Sequence, residues 1–195
     1  MMANEYSYRT LKQNLIDGLS KKEFILSKFY TVILFALVST VFVFVISLVL
    51  GLIYSDFNEF GIIVTDLSYI IAFFIKLVGF FSFGLFLGIL IKRSAFAVAA
   101  MIVWFIGEQI AYGMIRWKSD QHIAQTIKDF FPLEAMYNLI TEPFTRLKAV
   151  KTISQQVGEE IVSDYSVTPL KIIIVLAWTA IFIYASYVLL KKRDL

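Results

Sequence analysis

The chain has 195 residues, a hydrophobic fraction of 59%, a charged fraction of 17% and a mean hydropathy of +0.77, a balance that leaves too little polar surface for a soluble domain. It contains no cysteine and one histidine, which excludes disulfides, thiolate or clustered-histidine metal sites and cysteine nucleophiles. The net charge of +3 is small, and the basic residues lie beside apolar segments rather than along one stripe, so nucleic acid is not a predicted partner.

The first 28 residues are polar and basic, and a long apolar run follows them directly. Within residues 5–19 the apolar side chains recur at helical spacing, which predicts an amphipathic helix. These side chains are Tyr8, Leu11, Leu15, Ile16 and Leu19. From the pattern alone, a basic amphipathic helix of this kind is equally typical of a segment that lies on anionic lipid.

Local signals predict a corner after this helix. The Asp17-Gly18 pair favours a turn. Ser20, with Glu23 three residues later, is typical of a capping box at the start of a helix. The new helix is expected to begin near Lys21 and to run without a break into the first apolar segment.

Four segments are long and apolar enough to cross a bilayer, which takes about 20 helical residues. They are residues 29–54, 67–91, 95–115 and 170–190. Basic residues precede the first span, separate the second from the third and follow the fourth, whereas the first connection carries only acidic charges. By the positive-inside rule both termini are predicted to be cytoplasmic and the loop 116–169 external. The predicted fold is all-α, with a cytoplasmic segment (1–28) and a transmembrane domain (29–195).

The long loop contains a second apolar stretch, FFPLEAMYNLI, at residues 130–140. It is too short to span a bilayer, and stretches of this length are typical of interfacial or re-entrant segments. Pro132 suits a helix start and Pro143 a helix stop. We therefore expect a short helix on or within the outer face, followed by a polar surface segment at 145–168. The alternative is an ordinary external loop with one amphipathic helix.

Two ionisable residues, Lys76 and Glu108, fall within the second and third predicted spans. Charges there are costly, at about 2.5–3.5 kcal/mol each on insertion scales, and usually have a partner or a wet cavity. Their similar depth on neighbouring antiparallel helices predicts an ion pair. The alternatives are a snorkelling lysine, a glutamate at interfacial water, or a substrate or proton role. Gly84 and Gly88 form a GxxxG pattern, which predicts close helix packing.

Sequence patterns of active sites are scarce. The chain has no Walker A, HExxH or GxSxG sequence, and Glu159-Glu160 is more typical of a solvated helix face than of a catalytic pair. We therefore predict no enzymatic activity, no catalytic residue, no cofactor and no metal site.

The N-terminal string NEYSYRTLKQNLIDGLSKKEF is similar to a cytoplasmic loop of type-2 ABC exporter permeases, especially the bacteroidete type. The matching positions are Glu5, Arg9-Thr10-Leu11, Gly18-Leu19-Ser20-Lys21 and Lys28. The interior LGILIKRSAFAVAA resembles their short cytoplasmic link, and KKRDL resembles their usual ending. The resemblance runs through nearly the whole chain, and the order and spacing of the motifs make it fairly specific.

In that family the matching loop lies between the second and third of six membrane helices. The four spans here would correspond to the third to sixth helices, so we expect a truncated or mis-started permease, a C-terminal fragment, rather than a genuine four-span variant. The resemblance implies a dimeric permease in the bacterial inner membrane that exports its substrate by working with separate ATPase subunits.

The resemblance also assigns a role to the N-terminal segment, which would sit in a groove of the ATPase as a coupling helix. The contact residues implied are Arg9, Lys12, Asn14, Asp17, Gly18 and Lys21. The alternative function is a small four-span accessory or assembly protein that uses its basic N-terminus to bind lipid or a partner.

Overall fold

The structure is a computed structural model that describes residues 2–8, 10–54, 67–140 and 166–192. These ranges contain helices and no strand, which confirms the all-α prediction. The helices are α1 (Met2–Ser7), α2 (Thr10–Ile16), α3 (Lys21–Tyr54), α4 (Leu67–Ile91), α5 (Ser94–Lys118), α6 (Gln121–Lys128), α7 (Pro132–Tyr137) and α8 (Pro169–Lys192). Arg9, Pro143, Glu159, Glu160 and most of the segment 145–168 lie outside the described residues.

Four of these helices, α3, α4, α5 and α8, are long and apolar enough to cross a membrane. The second span has the predicted bounds, and the third extends to Lys118. The first is the longest, because α3 begins at Lys21, before the apolar run itself begins. The four-span prediction is therefore confirmed for the described part of the chain.

Helix α4 is the centre of the fold, since it packs against α3, α5, α7 and α8. Its most extensive contact is with α8, where aromatic rings interlock: Phe83 of α4 lies 4.9 Å from Phe182 of α8 and 5.4 Å from Trp104 of α5, between ring centroids. Two hydroxyls buried between the helices, Ser82 and Thr179, donate to carbonyls one turn earlier in their own helices. These two buried hydroxyls are therefore each satisfied within their own helix.

The outer faces of α3 and α5 are apolar and exposed. Leu34 and Phe42 of α3, and Val103 and Ile110 of α5, all have more than half of their surface open. In water such exposed apolar faces would promote aggregation. In a membrane they contact lipid or a second membrane subunit instead.

The predicted GxxxG glycines lie on α4. Gly88 is buried. Gly84 is half-buried, and a Cβ built there would meet Met101 of α5 at an ordinary 3.7 Å. Their contribution to close helix packing stays a prediction.

A closer contact than that of Gly84 occurs at Gly79, five residues earlier in α4. A Cβ at this position would lie 3.1 Å from Val175 Cγ1 of α8, 3.2 Å from Met136 Cε of α7 and 3.3 Å from Thr179 Oγ1 of α8. Gly79 therefore lets α4 approach two other helices at once.

Candidate functional site

The N-terminal segment turns a sharp corner between α2 and α3 where the sequence predicts one. Gly18 has a φ of 101°, a conformation that L side chains rarely adopt. The N–H of Gly18 donates to the carbonyl of Leu15 at 3.3 Å, and the N–H of Leu19 donates to the carbonyl of Asn14 at 3.1 Å. This pair of bonds is the Schellman C-cap of a helix. The corner is thus fixed by the backbone itself.

A capping box begins the next helix directly after the corner. The N–H of Ser20 donates to Glu23 Oε2 at 2.9 Å, and the N–H of Glu23 donates to Ser20 Oγ at 3.2 Å. These reciprocal bonds satisfy backbone donors that have no partner within the helix. Both the end of α2 and the start of α3 are therefore defined by local hydrogen bonds.

Helix α1 is tied back onto the bundle instead of extending away from it. Its Glu5 forms an ion pair with Lys28 of α3 and accepts a hydrogen bond from Thr10 at the start of α2. Burial alone would raise the pKa of the Glu5 carboxyl, but the bonds from Lys28 and Thr10 outweigh it and hold the pKa below its usual value. Directly after the end of α4, Lys92 Nζ lies 5.6 Å from the ring of Tyr6 in α1.

An apolar cluster joins this N-terminal segment to one end of the bundle. It combines side chains of α1 and α2 with side chains near the start of α3 and the last turns of α4 and α8. Its buried members are Met2, Leu11, Phe24, Ile25, Val32, Leu85, Ile89 and Leu190. Lys21 Nζ also donates to the carbonyl of Lys191 at 3.3 Å, which links the start of α3 to the end of α8.

The amphipathic face predicted from sequence is only partly buried. Leu11 is buried and Leu15 half-buried, but Tyr8, Ile16 and Leu19 are exposed, with 77%, 68% and 40% of their surfaces open. The physical reason is that the helix is interrupted after α1, so Tyr8 lies in a turn, and Leu19 lies beyond the corner. Sequence reasoning therefore missed an exposed apolar surface beside the corner.

The residues predicted to contact an ATPase lie on and around this corner. Lys12, Asp17 and Gly18 are exposed, and Asn14 and Lys21 are half-buried. The sixth, Arg9, lies outside the described residues. The structure thus brings five of the six predicted residues together at one end of the bundle.

A second polar arrangement surrounds α7, at the stretch predicted to form a short helix. Pro132 is the first residue of α7, as predicted, and no side chain of its own segment caps it. Instead, Glu108 of α5 accepts the backbone N–H groups of Leu133 and Glu134, each at 3.2 Å. The Glu108 carboxylate is also fixed by the indole N–H of Trp104 at 2.8 Å. A carboxylate from another helix therefore acts as the N-terminal cap of α7.

Two lysines bind the carbonyls at the opposite end of α7. Lys76 of α4 donates to the carbonyl of Tyr137 at 3.2 Å, and Lys171 of α8 donates to the carbonyl of Asn138 at 3.3 Å. Cations at the C-terminal end of a helix and anions at the N-terminal end both match its dipole. The short helix is thus held by opposite charges at its two ends.

The segment that carries α7 lies well below the ends of the long helices. Glu108 is ten residues before the end of α5 at Lys118, which corresponds to about 15 Å along the helix. The indole N–H of Trp178 donates to the carbonyl of Phe130 at 2.9 Å, and Trp178 is nine residues into α8, or about 13 Å. Both contacts place the segment between the helices rather than above them.

Lys76 was predicted to pair with Glu108, but the contacts of Glu108 described above are with Trp104, Leu133 and Glu134. Lys76 contacts the last turn of α7, and Glu108 contacts the first turn. Lys76 Nζ also lies 5.4 Å from the ring of Tyr137. A direct pair stays a prediction, and the geometry shows a role for each charge that sequence reasoning missed, because it depends on the position of α7.

No three acidic, histidine or cysteine side chains group together as a metal site within the described ranges. A family model described as "ABC-2 family transporter protein" matches residues 1–195, the whole chain. No curated protein and no solved structure matches it. The match agrees with the resemblance drawn from the order of the motifs, and it favours the permease over the accessory-protein alternative.

Proposed function

Because the chain belongs to the ABC-2 family of transporter proteins, we propose that its N-terminal segment couples ATP hydrolysis by a partner to movement of the membrane helices. The chain is a multi-pass permease subunit of an ABC transporter, and its partner is an ABC ATPase subunit. The proposal concerns how the two are connected.

The observation that carries the proposal is the corner at Gly18. A partner can drive a conformational change only through contacts that differ between two states, and a flexible tail would absorb the displacement. Here a Schellman cap and a capping box fix the corner, and α3 continues from it for 34 residues, about 51 Å. A displacement at the corner would therefore tilt a whole membrane helix.

The apolar cluster extends the same connection to two further helices. Leu11 of α2 packs in one cluster with Ile89 of α4 and Leu190 of α8. Movement of α2 would therefore be felt by the ends of three membrane helices. We assign the contact with the ATPase to Arg9, Lys12, Asn14, Asp17, Gly18 and Lys21, with the exposed Ile16 and Leu19 as its apolar part.

The topology we propose places this end of the bundle in the cytoplasm of a bacterial cell, with the chain in the inner membrane. Support comes from the basic residues at this end, which follow the positive-inside rule. They are Lys12, Lys21, Lys22, Lys28, Lys92, Arg93, Lys191 and Lys192. On the opposite side α7 would be a re-entrant helix, and the exposed faces of α3 and α5 would meet lipid and a second permease subunit.

The coupling proposal is tested by replacing Asp17-Gly18 with two alanines, which favour continuation of the helix. An L residue at Gly18 is disfavoured by about 1–2 kcal/mol in the left-handed region, so the corner should straighten in a large fraction of molecules. The matched control is Gly113→Ala, because Gly113 lies within α5 with nothing within 4 Å of an added Cβ.

The readout is a distance between spin labels on Ile53→Cys in α3 and Leu170→Cys in α8, in a chain without other cysteines. Both positions are exposed. Reconstituted with the ATPase, the parent and the control should change this distance on addition of a non-hydrolysable ATP analogue. The alanine pair should lose the change while the ATPase still hydrolyses ATP. An undiminished distance change in the alanine pair would refute the coupling role.

A further inference from the structure

A groove of about 480 Å³ lies between α3 and α8, near the ends that the bond from Lys21 to Lys191 joins. Its volume is within the range of about 300–1,000 Å³ that is typical of sites for small ligands. The lining is mostly apolar, with Ile25 and Leu26 from α3 and with alanine, isoleucine and two tyrosines from α8. Of the described side chains that line it, Lys22 alone carries a charge.

This charge lies at the end of the groove that is nearest the end of the bundle. Lys22 is the second residue of α3, and Ile25 and Leu26 follow it three and four residues later, on the same side of the helix. On α8, the lining residue nearest the end of the helix is Tyr187, five residues before Lys192. On both helices the groove therefore extends from the charged end toward the middle of the membrane.

Helix α8 places a second cation at the same end. Ala180, Tyr184, Tyr187 and Lys191 recur at intervals of four, three and four residues, so they share one side of α8. Lys191 is exposed. Ala180 lies eleven residues before it, about 17 Å along the helix, and half of a hydrocarbon core of about 30 Å is about 15 Å. The groove is therefore about as long as one leaflet is thick.

The two tyrosines add hydrogen-bond donors below the lysines. Tyr187 is half-buried, and Tyr184 has 70% of its surface open. Tyr184 lies seven residues before Lys191, about 10 Å along α8. A tyrosine has an apolar ring and a hydroxyl that usually finds a partner, and the phosphate and ester oxygens of a phospholipid are acceptors. The polar groups of the groove thus match a lipid at the level where its headgroup meets its chains.

The acidic side chains near the start of α3 are engaged elsewhere. Glu23, next to Lys22, accepts hydrogen bonds from the backbone and the hydroxyl of Ser20, and Glu5 pairs with Lys28. Neither glutamate lines the groove. Among the described residues, the charge that borders the groove is therefore positive.

We propose that this groove binds one molecule of an anionic phospholipid, with its phosphate between Lys22 and Lys191 and one acyl chain along the apolar lining. Ammonium groups form charge-assisted hydrogen bonds with a phosphate, and they attract anionic headgroups. A zwitterionic lipid carries its own ammonium next to the phosphate, so its attraction to the two lysines is weaker. Such binding does not depend on coupling to an ATPase, because it is an equilibrium property of the permease alone.

The test compares photoreactive phosphatidylglycerol with photoreactive phosphatidylcholine, each with a diazirine on its acyl chain. Each probe is a trace component of phosphatidylcholine nanodiscs that contain the full chain, and mass spectrometry locates the adducts. Within residues 22–26 and 183–187, phosphatidylglycerol should give at least about fivefold more adducts than phosphatidylcholine, because each lysine near a headgroup contributes about fivefold. On the exposed face of α5, within residues 102–110, the two probes should label equally.

The charge is tested by replacing both lysines. Lys22→Gln combined with Lys191→Gln should bring the ratio of phosphatidylglycerol to phosphatidylcholine adducts in the groove to about one. The matched control is Lys118→Gln, because Lys118 is also an exposed lysine at the end of a membrane helix but does not line the groove. This control should leave the ratio unchanged.

A second variant keeps both lysines and fills the space. Ala180→Trp places a large side chain at the deep end of the groove, so phosphatidylglycerol adducts at residues 22–26 should fall although the cations remain. The matched control is Ala177→Trp, an exposed alanine of α8 that does not line the groove. This pair tests the groove even if the two glutamines disturb the contact between α3 and α8.

Four results would overturn the proposal. The first is a phosphatidylglycerol preference that persists in the double glutamine variant, or that is lost equally in Lys118→Gln. The second is labelling that Ala180→Trp leaves unchanged. The third is competition by inorganic phosphate, which would show that the site recognises a free anion and not a lipid. The fourth is a disulfide-linked dimer of Ala180→Cys without lipid adducts, which would show that a second copy of the chain covers the groove.

Discussion

Replacing Glu108 with leucine should release α7 from the bundle. The carboxylate accepts three hydrogen bonds, from the N–H groups of Leu133, Glu134 and the Trp104 indole. Leucine leaves two backbone donors, the part-buried N–H of Leu133 and the buried N–H of Glu134, without a partner, at about 1–3 kcal/mol each. Part of that loss is offset because a buried carboxylate no longer has to be desolvated. The substitution should therefore weaken the docking of α7 by a net free energy of about 2–4 kcal/mol.

The chain has no cysteine, so a single introduced thiol reports whether α7 is docked. Ala135 lies on α7 with 3% of its surface exposed, and Ala135→Cys should react slowly with a membrane-permeant maleimide. A docking loss of 2–4 kcal/mol corresponds to roughly 30- to 700-fold more of the undocked state, and labelling should accelerate accordingly. The control is Ala36→Cys, fully buried in α3, whose labelling should not change.

Two outcomes would refute this reasoning. Labelling of Ala135→Cys within about twofold of the parent rate would show that Glu108 contributes little to docking. Equal acceleration at Ala36→Cys would show that the substitution loosens the whole bundle instead of releasing one helix.

The same variant tests whether Lys76 and Glu108 form a direct pair. In a double-mutant cycle with Lys76→Met, a direct pair should give a coupling energy above about 0.5 kcal/mol. If the free-energy changes of the two substitutions are additive, Lys76 and Glu108 do not pair directly, and each acts only on its own end of α7.

The remaining predictions concern helix packing and the docking of α1. Gly79→Leu should lower stability by about 1–3 kcal/mol in a thermal melt, because the side chain meets two helices, whereas Gly113→Leu, which meets nothing, should not. Equal melting temperatures would contradict the close approach at Gly79. The lowered pKa of Glu5 means that its ionised form favours docking of α1 above pH 4.5, and that this contribution is lost as the pH falls further. A spin label on Tyr8→Cys should become mobile in that acid range; in Glu5→Gln it should already be mobile at neutral pH, and an unchanged titration there would count against the ion pair.

Much of the fold follows from local signals that the sequence carries openly. Long apolar runs predict the four spans, because a helix must be apolar over its whole length to cross a bilayer. Helix ends are equally local: Gly18 permits the left-handed turn, Ser20 and Glu23 cap each other, and Pro132 begins α7. The family could be identified for the same reason, since its motifs are short and ordered along the chain.

The short helices were predicted less accurately from the sequence than the long ones. Residues 5–19 read as one amphipathic helix, but the chain forms α1 and α2 with a break between them, and α6 at Gln121–Lys128 was not predicted. Short helices depend on tertiary packing more than on propensity, because few of their hydrogen bonds lie within the helix. The exposure of Tyr8 and Ile16 could not be predicted for that reason.

The sequence by itself determined that the chain is a helical membrane protein of the ABC-2 family, with four spans in the part that the structure describes and a capped corner before the first of them. Only the tertiary structure decided what the charges within the spans contact. Glu108 is 25 residues from Leu133 and Lys76 is 61 residues from Tyr137, and nothing in the local sequence relates these positions. The groups of α7 that they contact belong to the backbone, which every residue carries alike, so these contacts become visible only when the fold brings α7 between the helices.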